Sequence, residues 1–340
     1  MLSEKFAMKP GTGRRLLESE RGLRLRRKGL AFLFSAFRFI LIAGICFTIL
    51  FPLLFSLITS IKTASDIYNP TSVWFPRNTH FRDIINNYRD AITVTWYWES
   101  LLNTVIYTLI TVVTQIAASC FIGYGLARFK FPGCNLLFAL VVFTIIVPPF
   151  TTLVPTYLNF QNFDVFGILK LTGLGPVNLN DNYIQFVLTC ITGFGFRGGL
   201  HIFIMRQFFK GVPRELSEAA GIDGCGMMRT FFQVMLPSAT GAIITVTIFA
   251  IVWQWTDNIN TSIFMSSGRF LMKSLQGAAS QYGTIMAGSG AMMFPTSRSA
   301  SEVSLIVQAT VVLVIIPMII LYLALQRYFV ESIEATGLVE

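Results

Sequence analysis

Six apolar runs, at 37–61, 101–126, 135–158, 183–208, 238–256 and 303–326, contain no Asp or Glu. An α-helix needs about 20 apolar residues to cross a hydrocarbon core about 30 Å thick, so each run has the length and chemistry of a membrane crossing. The whole chain agrees: 54% of it is hydrophobic and only 13% charged, and its mean hydropathy is +0.63. That balance is too apolar for an ordinary soluble domain. The expected fold is an all-α membrane protein with six transmembrane helices.

Orientation follows from the bases beside the runs. Lys5, Lys9, Arg14, Arg15, Arg21, Arg24, Arg26, Arg27 and Lys28 precede the first run with few acids among them, which places the N-terminus in the cytoplasm. Six crossings return the C-terminus to the same side, an N-in/C-in topology. The 127–134 turn (Arg128, Lys130), the 209–237 loop (Lys210, Arg214, Arg229) and Arg327 then lie inside, and 62–100, 159–182 and 257–302 lie outside. Three parts result: a basic cytoplasmic tail over 1–36, a membrane domain over 37–330, and a C-terminal cytoplasmic tail over 331–340.

Several other classes find little support. The basic tail has the charge of a nucleic-acid arm, yet no nucleic-acid module accompanies it, and topology with attraction to anionic lipid accounts for the bases. The first apolar run begins after about 36 residues, is long, and lacks a small-x-small site, so it reads as a retained crossing rather than a cleaved signal. Cys46, Cys120, Cys134, Cys190 and Cys225 form no CxxC pair, and His80 and His201 are far apart, so neither a disulfide framework nor a metal site is expected. Gly193, Gly195 and Gly198 satisfy GxGxxG, but inside an apolar run and after no strand, which fits close helix packing or a local break better than a dinucleotide site. A GxxxxGK phosphate loop is absent from the sequence. ATP chemistry, if any, belongs to another chain.

The 209–237 loop carries the strongest local signal. Pro213 suits the first position of a helix, and Glu215 and Glu218 suit its partially positive early turns, which predicts a short helix over about 213–222. Ala219 and Ala220 are small enough for that helix to sit closely in a groove, and Glu218 offers a carboxylate to a basic partner. Gly221 and Gly224, flanking Asp223, turn the chain. Met227, Met228, Phe231, Phe232 and Met235 then form an apolar helical run that Leu236 and Pro237 end. A plain amphipathic connector at the membrane surface fits each residue singly; the full spacing is harder to meet by chance.

That spacing, Glu218-Ala219-Ala220, three residues, Gly224, nine residues, Val234, one residue, Leu236-Pro237, resembles the EAA loop of binding-protein-dependent ABC importer permeases. Val234 stands where that family usually has Ile. Other segments resemble the carbohydrate branch, in particular the maltose-type second permease: Ser60-Ile61-Lys62-Thr63, Trp74-Phe75-Pro76, Asn87-Tyr88, Asn103-Thr104, the stretch from Tyr124 to Gly133, Arg206 to Phe209, and Gln326 to Val330. The 257–302 segment is longer than the family pattern, and the end of the chain is more acidic.

The resemblance implies one half of a heterodimeric pore, paired with a second permease, two ABC ATPase subunits and an extracytoplasmic solute-binding protein. It implies an ABC importer permease fold with a cytoplasmic coupling helix, no cofactor on this chain, and ATP-Mg on the ATPase subunits. Pro213 to Gly224 would then sit in an ATPase cleft, with Glu218 meeting a base there, and the solute would be a sugar or oligosaccharide. For the solute path, Arg197 is a candidate, because a lipid-facing Arg in mid-membrane is disfavoured by roughly 2.5–3.5 kcal/mol. A solute contact and a structural pairing with a neighbouring helix are equally open for it. Trp253, Gln254, Trp255 and Asn258, near Asp257, are candidates to stack on and hydrogen-bond a sugar, with interfacial anchoring as the other reading of the tryptophans. An ion-coupled secondary transporter is the alternative function, although its usual intramembrane acids are missing; a membrane-embedded enzyme lacks a cluster of catalytic side chains.

Overall fold

The computed structural model describes residues 12–165, 167–173, 175–288 and 297–337. Residues 1–58 and 59–340 form two separate units. The first holds most of helix α1, Thr12–Ser60. Its stretch Leu30–Ser60 is long and apolar enough to cross a membrane by itself.

The second unit begins with a short connector: α2 (Ala64–Tyr68), a 3₁₀ turn over Pro70–Ser72, and α3 (Phe81–Val94). Polar side chains tie it into a knot. Asn87 donates to the carbonyls of Ser60 and Lys62, both at 2.9 Å, and the Ser60 and Tyr88 hydroxyls lie 2.9 Å apart. Lys62 Nζ reaches the Val73 carbonyl at 2.8 Å, and the buried Asp66 accepts from Asn78 N and Thr79 Oγ1. Three of the sequence words singled out above, around Ser60, Trp74 and Asn87, thus belong to one local structure.

Next come α4 (Tyr97–Arg128), α5 (Cys134–Ile146), α6 (Pro149–Gln161), α7 (Ile168–Leu171), α8 (Tyr183–Ile191) and α9 (Gly198–Gly211). The loop helices α10 (Arg214–Ile222), α11 (Met227–Thr230) and α12 (Leu236–Ser238) follow, with a π-helical turn over Phe231–Met235 before α12. Then come α13 (Thr240–Trp255), α14 (Ile259–Phe264), α15 (Leu271–Gly288) and α16 (Ser297–Gly337). The only β pairing among the described residues is a single antiparallel bridge, Phe163 with Val177. Helix α4 packs against α8, α9, α13 and α15, and α16 packs against α3, α13 and α15.

The expectation of six continuous helices needs correction. Among the described residues three helices are long and apolar enough to cross alone, Leu30–Ser60, Tyr97–Arg128 and Ser301–Arg327; two bent pairs raise the number to five. The 135–158 run divides into α5 and α6, bent by 105°. Pro148 and Pro149 are the cause, since each proline disfavours the helical conformation in the residue before it, and both Val147 and Pro148 are extended. The 238–256 run begins a helix that meets the Met227–Ser238 segment at 76°. Pro237 does not end the preceding helix but lies within α12, which runs one residue further. The 183–208 run is two helices, α8 and α9, separated by Thr192–Arg197.

The end of α4 that carries Glu99 is locked to the segment before α15. Arg269 pairs with Glu99 at 2.6 Å and lies 4.1 Å from the Trp96 ring centre, and Thr104 Oγ1 accepts from Leu271 N. Asp181 accepts from Ser266 Oγ and Ser267 N, each at 3.0 Å. Lys273 Nζ caps the carbonyls of Met265, Ser266 and Gly268; burial pulls its ammonium below the ordinary lysine range against the pull of Asp181.

Candidate coupling surface and translocation cavity

At the opposite end of α4, the 212–238 segment folds as the sequence suggests and is firmly rooted. Pro213 caps α10 in an extended conformation, and Gly224, at φ +78°, reverses the chain after it. Cys225 N donates to Ala220 O and Gly224 N to Gly221 O, so the last carbonyls of α10 are satisfied by a glycine-dependent helix stop. Met235 and Phe231 are buried against Cys120, Tyr124, Met205, Phe209 and Val246, a cluster that joins the loop to α4, α9 and α13. Arg128 Nη2 donates to Val212 O at 2.6 Å, and Arg206 Nε to Leu126 O at 3.3 Å.

The predicted coupling residues divide into two sets. Pro213, Glu215, Glu218, Ala219, Gly221, Asp223 and Gly224 are exposed, as is Pro237 in α12, whereas Leu236 is half-buried. Ala220 differs from the expectation: it is 6% exposed and faces this chain's own core, leaving Ala219 as the outward small residue. Leu216, Ile222, Met227, Met228 and Phe232, on the same loop as Glu218, are all exposed. This apolar set was not singled out from the sequence as a surface, although its residue types were visible there.

A cavity of about 890 Å³ lies between α4, α5, α6, α8 and α9. Its wall mixes aromatic rings (Tyr107, Phe143, Phe186) with hydroxyls and amides (Thr111, Gln185, Asn260). The break between α8 and α9 forms part of it. Cβ atoms added to Gly195, Gly198 or Gly199 would collide with Gln115, Gly193 O and Thr144 respectively, so the glycines are there because neighbours press against the backbone. Arg197 turns the chain at φ +56° and caps α9.

Of the predicted path residues, Arg197 and Gln254 reach the cavity wall. Gln254 Oε1 accepts from Tyr107 Oη at 2.8 Å, and the same hydroxyl lies 2.7 Å from Asp257 Oδ2. Trp253 is half-buried under Arg197, 4.4 Å from its guanidinium carbon, and stacks on His201. Trp255 is a correction: it is 7% exposed, packs with Tyr97, Leu271 and Val314, and points its Nε1 at Val314 O. Two residues apart on a helix means about 200° of rotation, so Trp253 and Trp255 cannot share a face. Asn258 accepts from Ser262 Oγ in the turn before α14 and does not reach the wall. Tyr107 and Asp257, which organise one side of the cavity, gave no sequence signal as a pair.

Residues 115–334 match the family described as the binding-protein-dependent transport system inner membrane component. This chain belongs to that family. It is therefore a multi-pass permease of the plasma membrane, a transport component rather than an enzyme. It is similar to the putative ABC transporter permease protein ORF2 of Caldicellulosiruptor sp. (30% identical over 216 residues, 64% of this chain and 70% of the relative). It is also similar to the alpha-glucoside transport system permease protein AglG of Rhizobium meliloti (25% over 264 residues, 77% of this chain and 62% of the relative). Among solved structures, a bacterial ABC transporter involved in the import of the acidic polysaccharide alginate contains a chain with the same fold. The TM-score is 0.67 at 22% identity, covering 87% of this permease and 96% of that chain.

Proposed function

We propose that this permease carries a sugar or oligosaccharide into the cytoplasm as one of two permease subunits, driven by two ABC ATPase subunits and supplied by an extracytoplasmic solute-binding protein. In this reading ATP-Mg is bound and hydrolysed on the ATPase subunits, and this chain holds no cofactor. Residues 37–330 make six crossings with both termini in the cytoplasm, the crossing at 183–208 being broken at Thr192–Arg197. The tails 1–36 and 331–340 lie on the cytoplasmic side.

The observation that carries the proposal is the connection between the exposed face of α10 and the cavity. Glu218 and Ala219 are offered outward, while Phe231 and Met235, on the same short segment, are locked to α4 and α9. Those two helices hold Tyr107 and Thr111, and Arg197 at the start of α9, on the cavity wall. A push on α10 therefore moves wall residues through packed side chains, without a flexible link. The names of relatives such as the alpha-glucoside permease support a carbohydrate solute, as does a wall of aromatic rings interleaved with hydroxyls and amides.

Charge reversal at Glu218 tests this. Glu218→Lys should leave membrane insertion and the thermal midpoint unchanged, because the side chain is exposed, and should lower solute-stimulated ATP hydrolysis by the reconstituted transporter about ten-fold or more, as loss of a charge-assisted contact implies. Full stimulation in the variant would remove Glu218 from the coupling surface.

A further inference from the structure

Among the described residues, Arg197 is the one charged side chain on the cavity wall. It is exposed to that space, and no carboxylate or carbonyl among the described residues is bonded to it. Its contacts are the rings of Phe196 and Trp253, at 5.5 and 4.4 Å. A ring face attracts a cation but accepts none of the guanidinium's five in-plane N–H donors. Asp257, behind the same wall, is already engaged by Tyr107 Oη and by the backbone and side-chain nitrogens of Asn260.

The backbone around Arg197 is closely packed: a Cβ at Gly195, Gly198 or Gly199 would collide with Gln115, Gly193 O or Thr144. Arg197 stands at the N-terminus of the 14-residue helix α9, where the peptide dipoles also favour negative charge. A second observation points to a ligand on the same wall. Gln185 is 2% exposed, and its Oε1 is buried with no hydrogen-bond donor among the described residues. A buried amide oxygen without a donor is costly to leave so, and a solute hydroxyl is the donor that would complete it.

We infer that the solute of this permease is an acidic polyol: a hydroxylated body that bonds Gln185, bearing a carboxylate or phosphate that pairs with Arg197. The inference rests on the importer reading above and adds to it the charge of the cargo. Carboxylate and phosphate share the chemistry that Arg recognises, two adjacent oxygens meeting a planar fork of donors.

The test uses the whole transporter, with its binding protein, in proteoliposomes. Uptake is measured with and without ATP for digalacturonate and its neutral counterpart galactobiose, and for glycerol 3-phosphate and glycerol. The expected result is ATP-dependent uptake of one acid about ten-fold or more above its neutral counterpart, lost in Arg197→Gln and partly kept in Arg197→Lys, as a charge-assisted contact implies. Which acid is taken up distinguishes carboxylate from phosphate. ATP-driven uptake of a neutral solute at least equal to its acid, or an acid preference that Arg197→Gln leaves intact, overturns the inference and leaves the importer reading standing. ATP-independent behaviour with all four solutes overturns the importer reading and the inference with it. The native chain's choice between acid and neutral solute decides the matter even if Arg197→Gln does not fold.

Discussion

Gly123 and Gly125 lie two residues apart on α4, and alanine at each should act with opposite sign. A Cβ on Gly123 would fall 2.8 Å from Met205 Cβ and 2.9 Å from Arg206 N, atoms of α9 that include backbone and cannot swing aside. Ordinary contact begins near 3.4 Å, so α4 and α9 must part by at least about 0.6 Å at a point where both are packed to interior density. Overpacking of this kind costs about 1–3 kcal/mol, and the helix gains back about 0.5–1 kcal/mol when Gly becomes Ala. The net for Gly123→Ala is a loss of up to about 2.5 kcal/mol. At Gly125 the nearest atom, Phe129 Cδ2, is 3.9 Å from a built Cβ, so Gly125→Ala should be neutral or stabilising by about 0.5–1 kcal/mol. Thermal midpoints of the detergent-solubilised protein, followed by size-exclusion chromatography after heating, should rank Gly125→Ala at or above the native chain and Gly123→Ala below both. A Gly123→Ala protein as stable as the native chain would mean that α4 and α9 do not cross as closely as described.

Gly224→Val should destabilise the α10–α11 turn by about 1–2 kcal/mol, because φ +78° puts a β-branched side chain against its own backbone; limited proteolysis at 213–237 should quicken, while Gly221→Ala, with open space around its Cβ, should not quicken it. Asp181→Asn should lower the thermal midpoint at neutral pH and match the native chain in acid. Burial opposes ionisation of Asp181, but hydrogen bonds from Ser267 and Ser266 outweigh it and hold the carboxyl below its ordinary range. Its contribution is therefore present above the unfolded-state value of about 3.9 and lost as pH falls through the lower folded-state value. A midpoint difference that persists unchanged below that range would assign the effect to something other than the Asp181 charge.

The apolar runs were enough to foresee α1, α4 and α16, which stay helical over more than 25 apolar residues, through Pro52 in α1 and Pro317 in α16. They misled where local chemistry overrides hydropathy. The Pro148-Pro149 pair was in plain view within 135–158 and forces two extended residues, yet a hydropathy reading passes over it. The local fold of the 213–237 loop was legible because its signals are local: a proline start, early acids and a glycine stop act on their own neighbours. Which of Ala219 and Ala220 faces outward was not, because that depends on how Phe231 and Met235 fold back onto α4. The helical rotation between Trp253 and Trp255 already meant that the two could not line one face, but which neighbours each meets is set by the packing. The Tyr107 hydroxyl and Asp257 carboxylate meet across 150 residues of sequence, and no spacing rule reaches that far. Arg197 was visible as an oddity in an apolar run, but that no described residue bonds its guanidinium is a property of the packed structure.

The central claim is that an ATPase seats on the exposed face of α10. A photo-crosslinking amino acid at position 219, the outward small residue of that face, illuminated in native membranes and followed by mass spectrometry of the adduct, tests it directly. The account predicts a covalent adduct with an ABC ATPase subunit, absent when the same probe replaces the buried Ala220. Adducts at 219 that contain only lipid or a second copy of this chain would contradict it.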